Sequence, residues 1–236
     1  MNVPDNLEEL ISSYYKNNKA SLHKRFSDCE NIISGRICHP SIIVISILSD
    51  LLNIDNYMEI GVHNGGSMCM LLSSKNNKTN IFGIDLFENM YDINHHLNQE
   101  KFIKYQYFKR DNLSIEKTKN NLDIVKTLYD SNSNITMIKG NSYYDDTEEE
   151  FKQKLDDKSL DMLFIDGDHT LDGVKNDYER FSKYVKNGGI IIFDDYHHTV
   201  IKTYVDDLLD KNPHLKMISK FVSDGTTAID AVILKM

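Results

Sequence analysis

Tyr57-Met-Glu-Ile-Gly61-Val-His-Asn-Gly65-Gly66-Ser67 is a short, largely apolar run that breaks into glycines and then becomes helical in character. The pattern recurs four times, in Asn80-Ile-Phe-Gly-Ile-Asp85, Ile135-Thr-Met-Ile-Lys-Gly140, Asp161-Met-Leu-Phe-Ile-Asp166 and Gly189-Ile-Ile-Ile-Phe-Asp194. Near-continuous apolar strands are what a sheet covered on both faces requires. Helical stretches separate them, over Ser67–Ser74, Ser114–Leu128, Thr147–Leu155 and Leu171–Val185. Strand–helix alternation of this kind predicts an α/β fold with a doubly wound, mostly parallel sheet. Two further strands, Met217–Val222 and Ala228–Leu234, flank the turn Ser223-Asp-Gly-Thr226. They predict a C-terminal antiparallel hairpin and bring the sheet to seven strands.

Working outward, residues 1–55 read as an N-terminal helical cap. Asp5 is placed to cap a helix over Asn6–Lys16, and a second helix starts at Pro40. Residues 56–236 then form the main domain, with a lid or insert over 87–134. That insert carries the aromatic–basic run Phe102–Arg110.

Composition narrows the function. The chain has 236 residues, is 40% hydrophobic and carries a net charge of −9. Such an acidic balance argues against nucleic acid, whose phosphates need basic residues to displace counterions. It disfavours an anionic membrane equally, and favours a cationic ligand or a metal ion. The first residues lack the basic and apolar regions of a signal peptide. The apolar stretch Ile42–Leu52 is too short to span a bilayer. Three cysteines without CxxC spacing fit a reduced, cytoplasmic compartment.

In open parallel sheets, ligands bind beyond the carboxyl ends of the strands. The glycines after the first strand are spaced G-x-x-x-G-G, not the G-x-G-x-x-G of dinucleotide binders, which counts against an NAD-dependent oxidoreductase. Asp85 ends the second strand, where a carboxylate can accept hydrogen bonds from both hydroxyls of a ribose. Glu59-x-Gly61-x-x-x-Gly65-x-Ser67 followed by Asp85 resembles the first two motifs of the class I S-adenosylmethionine-dependent methyltransferases. The resemblance implies S-adenosylmethionine as cofactor. It places Glu59, Gly61, Gly65 and Ser67 about its methionine part and Asp85 on its ribose. Asn141 stands beside the adenine, where that family often has Gly-Asp.

Asp166-Gly-Asp168-His169 ends the fourth strand and Asp194-Asp195-Tyr-His197-His198 ends the fifth. Adjacent strands lie about 4.8 Å apart, so these side chains can converge on one ion. Three carboxylates repel one another unless a cation joins them. An all-oxygen set suits Mg²⁺, with Mn²⁺ or Ca²⁺ as alternatives. Helix capping is the simpler reading for Asp168 or Thr170, but it does not account for Asp166, Asp194 and Asp195 together. Ile165–Asp177 and Asn187–Tyr196 further resemble the metal-dependent O-methyltransferases of the macrocin and aminocoumarin sugar type, a group that includes cephalosporin-hydroxylase-like proteins. That resemblance implies Mg²⁺ held by Asp166, Asp194 and Asp195, with Asp166 also bordering the cofactor. Asp168 would be the general base and His169 the second candidate. His197 and His198 stand further out. The implied acceptor is a hydroxyl of a sugar or another small molecule. A catechol or polyphenol acceptor and a non-catalytic nucleotide-binding protein are the rivals, and homo-oligomerisation stays open.

Overall fold

The computed structural model describes residues 3–33, 39–76, 78–87 and 113–236. The aromatic–basic run Phe102–Arg110 and most of the expected insert lie outside the described residues. In each strand, successive side chains point to opposite faces. Both faces are covered here, so β1 (Asn56–Ile60) and β4 (Leu160–Ile165) are buried at every position. The remaining strands are β2 (Asn80–Asp85), β3 (Asn134–Lys139), β5 (Val185–Phe193), β6 (Leu215–Phe221) and β7 (Asp230–Lys235). They form one seven-stranded sheet in the order β3-β2-β1-β4-β5-β7-β6.

β1 is parallel to both β2 and β4, and β4 is parallel to β5, so the strand order reverses direction between β1 and β4. β7 runs antiparallel to both neighbours and lies between β5 and β6. The expected antiparallel hairpin is therefore present, but its second strand inserts into the sheet and leaves β6 at the edge.

Helices fill both faces. On one, α1 (Leu7–Ile32), α2 (Ile43–Leu51), α3 (Gly66–Leu72) and α4 (Ile115–Leu128) bury Leu22, Phe26, Ile45, Met68 and Leu122 against Tyr57, Ile81, Phe164 and Ile192. On the other, α5 (Asp145–Leu155), α6 (Leu171–Phe181) and α7 (Thr199–Lys211) bury Phe151, Val174, Phe181 and Val205 against Met58, Phe82, Leu163 and Phe193.

α1 runs to Ile32, twice as far as its sequence pattern predicts, and Asn6 rather than Asp5 stands at its N-cap. Its second half is largely polar, and Leu22, Phe26 and Cys29, spaced four and three residues apart, lie on one buried stripe. A polar latch holds it to α2, with Tyr14 Oη (2.7 Å) and Arg25 Nη1 (2.8 Å) both donating to Asp50 Oδ2. The helix expected to end at Val185 ends at Phe181, and a 3₁₀ turn over Ser182–Tyr184 leads into β5.

Candidate functional site

The carboxyl ends of β1, β2, β4 and β5 meet on either side of the reversal point. After β1, Gly61 takes a left-handed φ of 90°, and a side chain there would collide with the Asp166 carbonyl, so glycine is required for the ends of β1 and β4 to touch. Glu59 is fully buried. It accepts hydrogen bonds from Tyr57 Oη at 2.8 Å and Ser67 Oγ at 2.5 Å. Burial pushes its pKa up to about 8, against the pull of those two hydroxyls.

Asp85 accepts the backbone N–H of His63 on one oxygen, at 2.8 Å, and that of Phe87 on the other, at 2.7 Å. Both donors are non-glycine residues with positive φ, His63 at 51° and Phe87 at 47°. Strained backbone is thus used to aim two N–H groups at one carboxylate. Each carboxylate oxygen keeps lone-pair capacity for a further donor. Asn141 lies in the turn after β3, its Oδ1 accepting the Tyr143 N–H at 3.0 Å.

The β4–β5 side is different. His169 bridges two carboxylates, with Nε2 3.0 Å from Asp166 Oδ1 and Nδ1 3.0 Å from Asp195 Oδ2. Burial opposes the charge on this ring, but the two carboxylates outweigh it and lift its pKa to about 11. The converse holds for Asp195, where burial is overcome by His169 and His39, and the carboxyl stays far below its usual range. Asp195 sits at φ 54° and also has His198 Nδ1 at 3.4 Å and His197 Nδ1 at 3.7 Å.

Asp194 is 1% exposed, and neither of its carboxylate oxygens has a hydrogen-bond partner. Burial, then the charge of Asp166, raises its pKa well above the usual range. An orphaned buried carboxylate between two others calls for a positive charge. Three overlapping sets, Asp166–His169–Asp194, His39–Asp194–Asp195 and His169–Asp195–His198, each bring one donor atom per residue within 4.8 Å of the others. These residues fit a divalent cation, though the donors are not all oxygen.

Asp168 faces elsewhere. Its two oxygens accept the Thr170 N–H at 3.0 Å and the Thr170 hydroxyl at 2.9 Å, and Thr170 Oγ1 caps α6 by accepting the Gly173 N–H at 3.0 Å. Among the described residues, no hydrogen bond or ion pair joins Asp168 to Asp166, Asp194 or Asp195. His39, Ser41 and Asp230, none of them singled out from the sequence, adjoin the cluster. His39 Nε2 lies 3.1 Å from Asp195 Oδ1 and 3.6 Å from Asp194 Oδ1. No motif marks them, since they come from the segment before α2 and from the start of β7.

Residues 58–196 match the family described as Methyltransferase domain. The chain belongs to this family, and its sheet is the Rossmann-like sheet of the class I S-adenosylmethionine-dependent methyltransferases. An uncharacterized protein of Acanthamoeba polyphaga mimivirus is 32% identical over 166 residues, which is 69% of this chain and 62% of that protein, so the match spans less than two thirds of the relative. Among solved structures, an O-methyltransferase from Bacillus cereus in complex with SAH superposes with a TM-score of 0.54 at 13% identity, over 90% of this chain and 91% of that one. The O-methyltransferase TomG from Streptomyces achromogenes, involved in tomaymycin synthesis and in complex with SAM, gives 0.56 at 12% identity, over 90% and 89%. The O-methyltransferase NovP gives 0.52 at 18%, over 88% and 78%. At these identities the likeness is one of fold. Among the described residues, no helix is long and apolar enough to cross a membrane.

Proposed function

We propose that this protein is an S-adenosylmethionine-dependent O-methyltransferase that uses a divalent cation and acts on a hydroxyl of a sugar or a similar small-molecule diol. The observation that carries the reading is Asp194, buried with both oxygens unpartnered and grouped with Asp166 on one side and Asp195 on the other. Asp85 would hold the ribose with the lone pairs that its two N–H donors leave free. Glu59, Gly61, Gly65 and Ser67 would shape the loop against the methionine part, Asn141 would border the adenine, and Asp166 would stand between cofactor and cation.

Methyl transfer forms an oxygen–carbon bond as the sulfur–carbon bond breaks, and the acceptor's proton must go to a base. Asp166, Asp194 and Asp195 would hold the cation, which, when bound, lowers the pKa of an acceptor hydroxyl. Asp168 is the proposed base and His169 the second candidate. Asp168 keeps a lone pair on each oxygen beside its Thr170 donors, whereas His169, held protonated by two carboxylates, must lose a proton before it can accept one.

Calorimetry with S-adenosylmethionine, with and without Mg²⁺ and EDTA, tests the cofactor. Absence of heat and of any thermal shift overturns the enzyme reading. An acceptor panel holding sugars and catechols in equal number tests the substrate class, and turnover of catechols alone overturns the sugar assignment. Comparing the pH–rate profiles of Asp168→Asn and His169→Gln assigns the base.

A further inference from the structure

Four histidines surround Asp195, and one of them is oriented by a relay of its own. His39 Nδ1 lies 2.5 Å from Ser41 Oγ, and the Ser41 hydroxyl donates to Asp230 Oδ1 at 3.0 Å. Ser41 and Asp230 are both fully buried. Because the Ser41 proton is directed at Asp230, Ser41 Oγ can only accept from His39, so Nδ1 carries a hydrogen. In the neutral ring, Nε2 is then a bare lone pair aimed at the oxygens of Asp195 and Asp194. A lone pair facing carboxylates needs a cation between them. A proton on Nε2 would serve Asp195 at 3.1 Å, but Asp194 Oδ1 lies 3.6 Å away, beyond hydrogen-bond reach.

We infer that His39 Nε2 is a ligand of the cation held by Asp194 and Asp195, and that the centre therefore prefers a first-row transition ion to Mg²⁺. The inference rests on the cation reading under Proposed function. Metal-bound histidines characteristically give their second nitrogen to an oriented partner that fixes the tautomer, which is the arrangement of Ser41 and Asp230. An imidazole among carboxylates also moves selectivity from hard ions toward Mn²⁺, Fe²⁺, Co²⁺ or Zn²⁺, because nitrogen binds Mg²⁺ weakly. The segment preceding α2 thereby completes a centre whose other ligands all follow β4 and β5.

The test titrates CoCl₂ and MgCl₂ into the metal-stripped full-length protein and records pulsed electron paramagnetic resonance of the Mn²⁺ form. Wild type is expected to bind Co²⁺ at least about tenfold more tightly than Mg²⁺. His39→Gln should weaken Co²⁺ by about tenfold or more, change Mg²⁺ less than about twofold and remove one nitrogen coupling from the Mn²⁺ spectrum. Ser41→Ala keeps the imidazole and frees its orientation, so an intermediate loss of Co²⁺ affinity is expected even if His39→Gln folds poorly. Equal affinity for the two ions, or unchanged Co²⁺ binding and nitrogen coupling in His39→Gln, overturns the inference. If ions bind and Asp194→Asn abolishes that binding while His39→Gln is silent, only the His39 assignment falls. If no divalent ion binds wild type at all, the cation reading falls with it.

Discussion

The two halves of the sheet's carboxyl edge treat their carboxylates in opposite ways. Beside β1 and β2, every acidic oxygen meets a donor from the chain itself, with hydroxyls on Glu59 and backbone N–H groups on Asp85. Beside β4 and β5, the acids meet imidazoles and one another, and Asp194 meets no donor. The first half is complete as folded and can bind a neutral hydroxyl-bearing ligand with small rearrangement. The second half is short of positive charge, and a cation would supply it. Acids that look alike in sequence thus separate into a positioning pair and a charge-deficient cluster.

Breaking the charge-deficient half should have the largest effect. Asp194→Asn is expected to lower methyl transfer at least about a thousandfold, about 4 kcal/mol in the barrier, while cofactor affinity measured by calorimetry changes little. Activity near wild type in that variant, or in excess EDTA, would erase the distinction between the halves. Gly61→Ala strikes the seam between them. Positive φ and the collision with Asp166 should cost at least about 3 kcal/mol, which for a chain of this size lowers Tm by about 6–12 °C in a thermal melt.

Asp85→Asn should weaken S-adenosylmethionine about 10- to 100-fold, because hydrogen bonds to a charged group are lost, and leave cation affinity as it was. Equal losses of both affinities would show that the halves are coupled. Glu59 sharpens the comparison through pH. Its folded pKa of about 8 lies above the ordinary 4.5, so the folded state holds this proton more tightly than the unfolded chain does. The stability it contributes is fully present below pH 4.5 and is lost as pH rises through 8. Glu59→Gln should therefore reduce the fall in Tm between pH 5 and pH 8, and an unchanged slope would contradict the assignment. The smallest effect belongs to Thr170→Ala. Loss of the α6 cap should cost about 1 kcal/mol, or about 2–4 °C in Tm, while freeing Asp168 from its hydroxyl partner.

Much of the architecture was legible along the chain. The five apolar runs that end in glycine or aspartate are β1 to β5, and the helix expected over Ser114–Leu128 is α4, with Ser114 at its N-cap. α7 lies outside the sequence expectations although Ile201, Tyr204, Val205 and Leu208 repeat with helical spacing. The full length of α1 was hidden by a polar second half whose few buried residues count only once α2 lies against them. In the candidate site, Asp166, Asp194 and Asp195 stood out as residue types at strand ends. His39, Ser41 and Asp230 did not, since His39 and Asp195 are 156 residues apart and Ser41 and Asp230 are 189 apart.

What the sequence determined by itself was local. Run length and period set strand against helix, and glycine spacing set the turn after β1. The order of acids at strand ends set where charge collects. Only the tertiary structure decided what each acid faces. A carboxylate's state depends on donors and charges a few ångströms away through a low-dielectric interior, whatever the separation along the chain. Asp85 and Asp194 each end a strand of the same sheet. Two backbone N–H groups meet one, and an imidazole from a distant part of the chain lies 3.6 Å from the other.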